Sequence, residues 1–146
     1  MSTRVLAAGT ARGEAMVLEE PLSFWGGIDP ATGDIIDRRH PQEGDNVTGR
    51  VVVMRSGRGS SSSSTVLAEA IRAGTAPAAI VLAESDPILA MGAMVAGALY
   101  GLSLPVVVVP PDDFSRIRTG DIVTVDAGSA RADPLVWAVR PAGEPG

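Results

Sequence analysis

Arg50-Val51-Val52-Val53-Met54-Arg55-Ser56-Gly57-Arg58-Gly59-Ser60-Ser61-Ser62-Ser63-Ser64 joins a β-branched run directly to a turn of glycine, arginine and serine. Arg50–Met54 is too short for a helix and reads as a buried strand. Beyond the turn, Thr65–Ala73 places Val66, Leu67, Ala70 and Ile71 on one helical face, and Gly74 supplies a stop. Ala78–Leu82 is another short β-branched strand. Asp86-Pro87 is a cap and first-turn pair that opens Ile88–Leu99, a helix expected to be largely buried, which Gly101 ends. Pro105–Val109 is a third buried strand, closed by Pro110-Pro111. Strand, helix, strand, helix, strand predicts a parallel sheet with right-handed crossovers.

The flanks are richer in strand. Arg4–Ala8 and Glu14–Leu18 read as two strands, or one bulged strand, around a break at Gly9–Gly13. Phe114–Ile117 suggests a helical turn, Asp121–Asp126 and Leu135–Val139 two last strands, and the Pro- and Gly-bearing tail a frayed end. The expected architecture is α/β, a β/β/α layered domain. Glu19–Gly49, rich in Gly, Pro and Asp, contains only Ile35-Ile36 as possible strand core. A loop of that length inside a compact domain is usually functional or disordered, and its aromatics argue against disorder.

Length and composition narrow the chemistry. A chain of 146 residues suits one domain over 1–146, with an ordered core over about residues 4–140. Twelve basic against 17 acidic residues give a net charge of -5, the wrong sign for neutralising a phosphate backbone, so no nucleic-acid partner is expected. All the basic residues are arginine, which removes Schiff-base lysines and the P-loop lysine. With no cysteine, this chain alone makes no disulfide, thiolate nucleophile or cysteine-held cluster. The single histidine, His40, excludes multi-histidine metal sites, and no metal ligand is assigned. No apolar run approaches the roughly 20 residues of a membrane span, and the N-terminus lacks a signal-peptide core, so a soluble cytoplasmic protein with no membrane partner is expected.

Three places could carry function. The Gly57–Ser60 turn lies at the carboxyl end of a strand and the amino end of a helix, where backbone N–H groups lack helical partners and the dipole favours an anion. Arg58 adds a planar donor fork for a carboxylate or phosphate. The plainer alternative is that the serines only cap the helix and Arg58 is solvated. Phe24 and Trp25, beside Ser23 in Pro21–Gly27, either plug the edge of a small core or form a docking or substrate-covering surface. His40, in Asp37-Arg38-Arg39-His40-Pro41, is either structural or a titrating site residue.

Taken together, Pro21–Gly27, Asp29-Pro30 with Gly33, Ile36–Pro41, Ser56–Ser61, Leu67-Ala68-Glu69 and Gly74–Ile80 resemble the small subunit of the aconitase X family. The likeness runs from about Gly9 to Gly128 and implies a swivelling β/β/α domain similar to the fourth domain of aconitase. It further implies one half of an iron–sulfur hydro-lyase that dehydrates a small anionic hydroxy acid. The cluster would be held by cysteines of an aconitase X-type large subunit, with none bound by this chain alone. On the family's Gly-Arg/Lys-Gly-Ser pattern, Ser60 is the implied catalytic base. Arg58, with Gly59, Ser61 and Ser62, is the implied substrate-binding set. His40, Ser23, Phe24 and Trp25 are further candidates for site or interface. The Ser56–Ser61 and Phe24-Trp25 residues favour the bacterial branch, which implies cis-3-hydroxy-L-proline as substrate. The archaeal branch implies mevalonate 5-phosphate, and a non-catalytic swivelling domain that binds an anion or phosphoryl group is the third reading.

Overall fold

The computed structural model describes residues 3–59, 61–128 and 134–140. Seven strands form one curled sheet in the order β1-β5-β4-β3-β2-β6-β7. They are β1 (Arg4–Ala7), β2 (Gly9–Val17), β3 (Val51–Met54), β4 (Ala79–Leu82), β5 (Val106–Val108), β6 (Ile122–Ala127) and β7 (Leu135–Val139). The predicted parallel centre is present: β2, β3, β4 and β5 run side by side in one direction, while β1, β6 and β7 pair antiparallel.

β2 creates the layering. Ala15–Val17 lies beside Val51–Val53 of β3, whereas Gly9–Glu14 pairs with β6 from Ala127 to Ile122. One strand thus belongs to two parts of the sheet, which folds over itself. Side chains of a strand alternate between faces, so the central strands feed two cores. Val51, Val53, Ala79, Val81 and Val107 meet Val123, Val125 and Ala127 of the overlying β6. Met16, Val52, Met54, Ile80, Leu82 and Val106 meet the helices and the long loop. Every residue of β3 and β4 is buried, which explains their uninterrupted apolar sequence.

Helices α2 (Ser63–Ala73) and α3 (Pro87–Tyr100) cover that second face. Gly74 ends α2 in the left-handed conformation at φ 81°, as expected. A Cβ on Gly92 of α3 would stand 2.7 Å from the Ser64 carbonyl oxygen, so this glycine allows the two helices to touch closely. α4 (Pro111–Arg116) begins before the expected turn at Phe114.

Two expectations need correction, at Gly9–Gly13 and in α3, while the order expected of Glu19–Gly49 is observed. Gly9–Gly13 is not a break but continuous strand, and Gly13 is needed because a Cβ there would lie 2.6 Å from the Gly49 carbonyl oxygen. Glu19–Gly49 is ordered by Leu22, Phe24, Ile28, Ile35 and Val47, all buried in the helix-side core, and contains one kinked turn, α1 (Phe24–Gly27). α3 is only half buried: Leu89, Ala90, Gly92, Ala93 and Ala96 face inward, while Met91, Met94, Val95, Leu99 and Tyr100 are exposed. The tail expected to fray lies outside the described residues.

Candidate active site at the strand–helix turn

Because β3 and β4 are parallel neighbours, the turns that leave their carboxyl ends are adjacent in space. One carries Gly57, Arg58 and Gly59, and the other carries Asp86. Between them lies a cleft of about 90 Å³, with Leu22, Phe24 and Leu89 as its apolar lining and Arg58, Ser63 and Asp86 as its polar side chains. Both glycines are structural necessities here. A Cβ on Gly57 would stand 2.0 Å from Asp86 Oδ2, and one on Gly59, whose φ is +92°, would stand 2.7 Å from Ser23 Oγ.

Asp86 caps α3, its Oδ1 accepting from the N–H groups of Ile88 at 3.0 Å and Leu89 at 3.2 Å. Ser63, buried in the first turn of α2, accepts from the Trp25 N–H at 3.1 Å and lies 3.3 Å from Ser23 Oγ. Ser23 Oγ donates to the Trp25 carbonyl at 2.9 Å. Arg58 is half-exposed, with Nη2 3.6 Å from Glu20 Oε1.

The predicted residues separate into groups. Arg58 and Gly59 line the cleft, and Ser23 packs against Gly59. Ser61 and Ser62 are exposed just ahead of α2. The Ser61 carbonyl accepts from Ser64 Oγ at 2.9 Å, and Ser62 makes no side-chain cap bond although it holds the N-cap position. Ser60 lies outside the described residues. Phe24 and Trp25 part company: Phe24 is fully buried beneath the cleft, whereas Trp25 is 58% exposed.

His40 is buried, and both ring nitrogens are engaged. The Gln42 N–H donates to Nδ1 at 3.1 Å, so Nδ1 bears the lone pair and Nε2–H donates to the Glu20 carbonyl at 2.9 Å. The ring ties Glu19–Pro21 to the Asp37–Gln42 turn and does not line the cleft.

Sequence reasoning missed Ser63 and Asp86 as cleft residues. Asp86 was legible only as a cap, and its approach to Gly57 follows from the β3–β4 pairing.

Wider hollows exist, one of about 260 Å³ between α4 and β7 and one of about 350 Å³ beside the end of α2. Neither brings a glycine turn, an arginine and a helix amino terminus together. Among the described residues, the clear electrostatic perturbation also lies elsewhere. On α2, the Arg72 side chain donates to Glu69, holding its carboxyl below the usual carboxylate range, and Glu69 raises the Arg72 guanidinium in turn.

An iron–sulfur cluster is held by thiolates, and this sequence contains none. Among the described residues no three His, Asp or Glu side chains gather in a metal-binding group either. The donors of this chain do not fit such a cluster.

A curled β/β/α domain with a polar cleft at a Gly-Arg-Gly turn defines a layered α/β domain built to present a strand–helix turn. The family model described as the aconitase X swivel domain matches residues 1–132, and the chain belongs to that family. It is 52% identical over 103 residues to cis-3-hydroxy-L-proline dehydratase of Pseudomonas aeruginosa, an alignment spanning 70% of this chain and 18% of that protein. It is 39% identical over 129 residues to the phosphomevalonate dehydratase small subunit of Methanothermobacter thermautotrophicus, spanning 88% and 94% of the two chains. The crystal structure of Thermococcus kodakaraensis aconitase X in its holo form superimposes with a TM-score of 0.77 at 35% identity, covering 92% of this chain and 96% of that one. The fold is therefore that of the aconitase X swivel domain, as the resemblance implied.

Proposed function

We propose that the chain is the small subunit of a two-chain dehydratase acting on a small hydroxy acid, with cis-3-hydroxy-L-proline as the substrate. The observation that carries this reading is the cleft between the Gly57–Gly59 turn and Asp86 in a swivel domain of this family. The substrate assignment is supported by the 52% identity to the Pseudomonas aeruginosa enzyme against 39% to the phosphomevalonate dehydratase subunit. A large subunit would supply the iron–sulfur cluster.

Dehydration breaks a C–H and a C–O bond on adjacent carbons, forms the double bond between them and releases water. The share of this chain is the proton. Ser60, placed by sequence between cleft-lining Gly59 and the start of α2, takes it, helped by a helix dipole and a neighbouring guanidinium that both favour the alkoxide. Arg58, with the N–H groups of Gly59 to Ser62, holds the substrate carboxylate. A phosphoryl-carrying role finds no support at His40, whose nitrogens are both occupied.

The test is to assemble the chain with its large subunit and compare Ser60→Ala with the unaltered enzyme on cis-3-hydroxy-L-proline and mevalonate 5-phosphate. Loss of a positioned base should lower kcat by about 10² to 10⁴. Undiminished turnover removes Ser60 from the reaction, and turnover of the phosphate ester alone reassigns the substrate.

A further inference from the structure

We propose that the outer face of α3 is the surface by which this chain docks on the large dehydratase subunit. The inference rests on the two-chain reading above and adds the place of contact.

α3 has the sequence PILAMGAMVAGALY, 14 residues without a charge. A helix covering a sheet normally turns a polar stripe to water, and one that is apolar all round is normally buried. α2 follows the first rule, with the Glu69–Arg72 pair on its exposed side. α3 follows neither. Its inner side is buried, yet Met91, Met94 and Leu99 are 56%, 58% and 67% exposed, with Val95 and Tyr100 beside them. At 14 residues the helix is also too short to cross a bilayer, which takes about 20.

The position of this face points to its occupant. Ile88, Met91, Val95 and Leu99 recur at i, i+3, i+7 and i+11, so they form one stripe along the helix. Ile88 lines the cleft. The apolar surface is therefore continuous with the mouth of the candidate site, where a subunit that completes the site has to arrive. In the Pseudomonas aeruginosa relative the matching region is 18% of the chain, which leaves a much larger body of polypeptide to cover it. The composition also suits an interface centre, which is depleted in charge and enriched in methionine and aromatic side chains.

The experiment uses the full chain and its large subunit, with Met91→Glu and Leu99→Glu as the test variants and Arg72→Glu on α2 as the control. The mutated side chains are solvent-exposed, and circular-dichroism melts check that each variant is folded. Calorimetric affinities should fall at least about 30-fold for the two α3 variants, the scale of a 2 kcal/mol hot spot. Arg72→Glu should bind as the unaltered chain does. Unchanged affinity in both α3 variants overturns the proposal. So does a self-associating chain that Leu99→Glu renders monomeric without loss of large-subunit binding, or a chain that does not bind the large subunit at all. Ser60→Ala separates the two readings: full activity in that variant removes the base but leaves the docking face standing, whereas intact binding by both Met91→Glu and Leu99→Glu removes the face and leaves the base.

Discussion

Ser63 Oγ lies 3.3 Å from Ser23 Oγ, and the pair closes a ring through the backbone of Trp25. The directions of its bonds follow from the donors. Trp25 N–H donates to Ser63, and the Ser23 proton is committed to the Trp25 carbonyl, so the hydrogen between the hydroxyls comes from Ser63. Ser23 Oγ in turn abuts Gly59, which couples the loop to the turn that carries Arg58. Ser63→Ala leaves the Trp25 N–H and the Ser23 hydroxyl short of a partner. It should cost about 1–3 kcal/mol in urea unfolding. A smaller loss, with unchanged amide exchange at Trp25, would mean that water replaces the hydroxyl.

Asp86 has two jobs that substitution can separate. Asp86→Asn keeps an oxygen for the amides of Ile88 and Leu89, whereas Asp86→Ala removes the cap, so only the alanine variant should lose about 0.5–2 kcal/mol of stability. Gly57→Ala should be worse than either, because its Cβ would overlap Asp86 Oδ2 and force the carboxylate off the cap. Denaturation midpoints of the three variants give the ranking. Equal stability of Gly57→Ala and the unaltered chain would show that the carboxylate can swing away freely.

What the sequence made legible was local. Val51–Met54 and Ala79–Leu82 are uninterrupted apolar runs because neighbours cover both their faces, and Gly74 stops α2 because a left-handed residue is needed there. What it hid was non-local. Gly9–Gly13 looked like a break because the use of Gly13 against the Gly49 carbonyl is set by a contact 36 residues away in sequence. α3 looked buried because hydropathy records which side chains are apolar, not which of them the fold covers. Asp86 looked like a cap alone because its second neighbour, Gly57, arrives through strand pairing.

Acidification provides a check on the α2 surface pair. The Glu69 carboxyl is lowered in the folded chain by the hydrogen bond from Arg72, so its contribution is present above the ordinary carboxylate pKa and is lost as pH falls through the folded value. Both partners are exposed, so the effect is small and screened by salt. The melting difference between the unaltered chain and Glu69→Gln should therefore shrink on going from neutral to strongly acidic pH, and shrink also in high salt. A difference that persists at low pH would assign it to packing of the side-chain stem.

Glu20 and Arg58 supply the sharpest test of how the cleft meets an anion. The guanidinium stands 3.6 Å from the Glu20 carboxylate at the surface, with about half of each side chain exposed. The backbone of Glu20 is held by the buried His40 ring. In the role proposed for Arg58, a substrate carboxylate would therefore compete with a tethered rival of the same charge. An exposed pair of this kind is worth about 0.2–1 kcal/mol. Glu20→Gln in the assembled enzyme should accordingly lower KM by up to about fivefold with little change in kcat. Arg58→Lys should move KM upward, since a point charge does not reproduce the two-pronged fork. If Glu20→Gln instead raises KM, the carboxylate serves to aim the guanidinium at the substrate. His40→Ala, which frees the Glu20 backbone without touching its charge, should then raise KM in the same way.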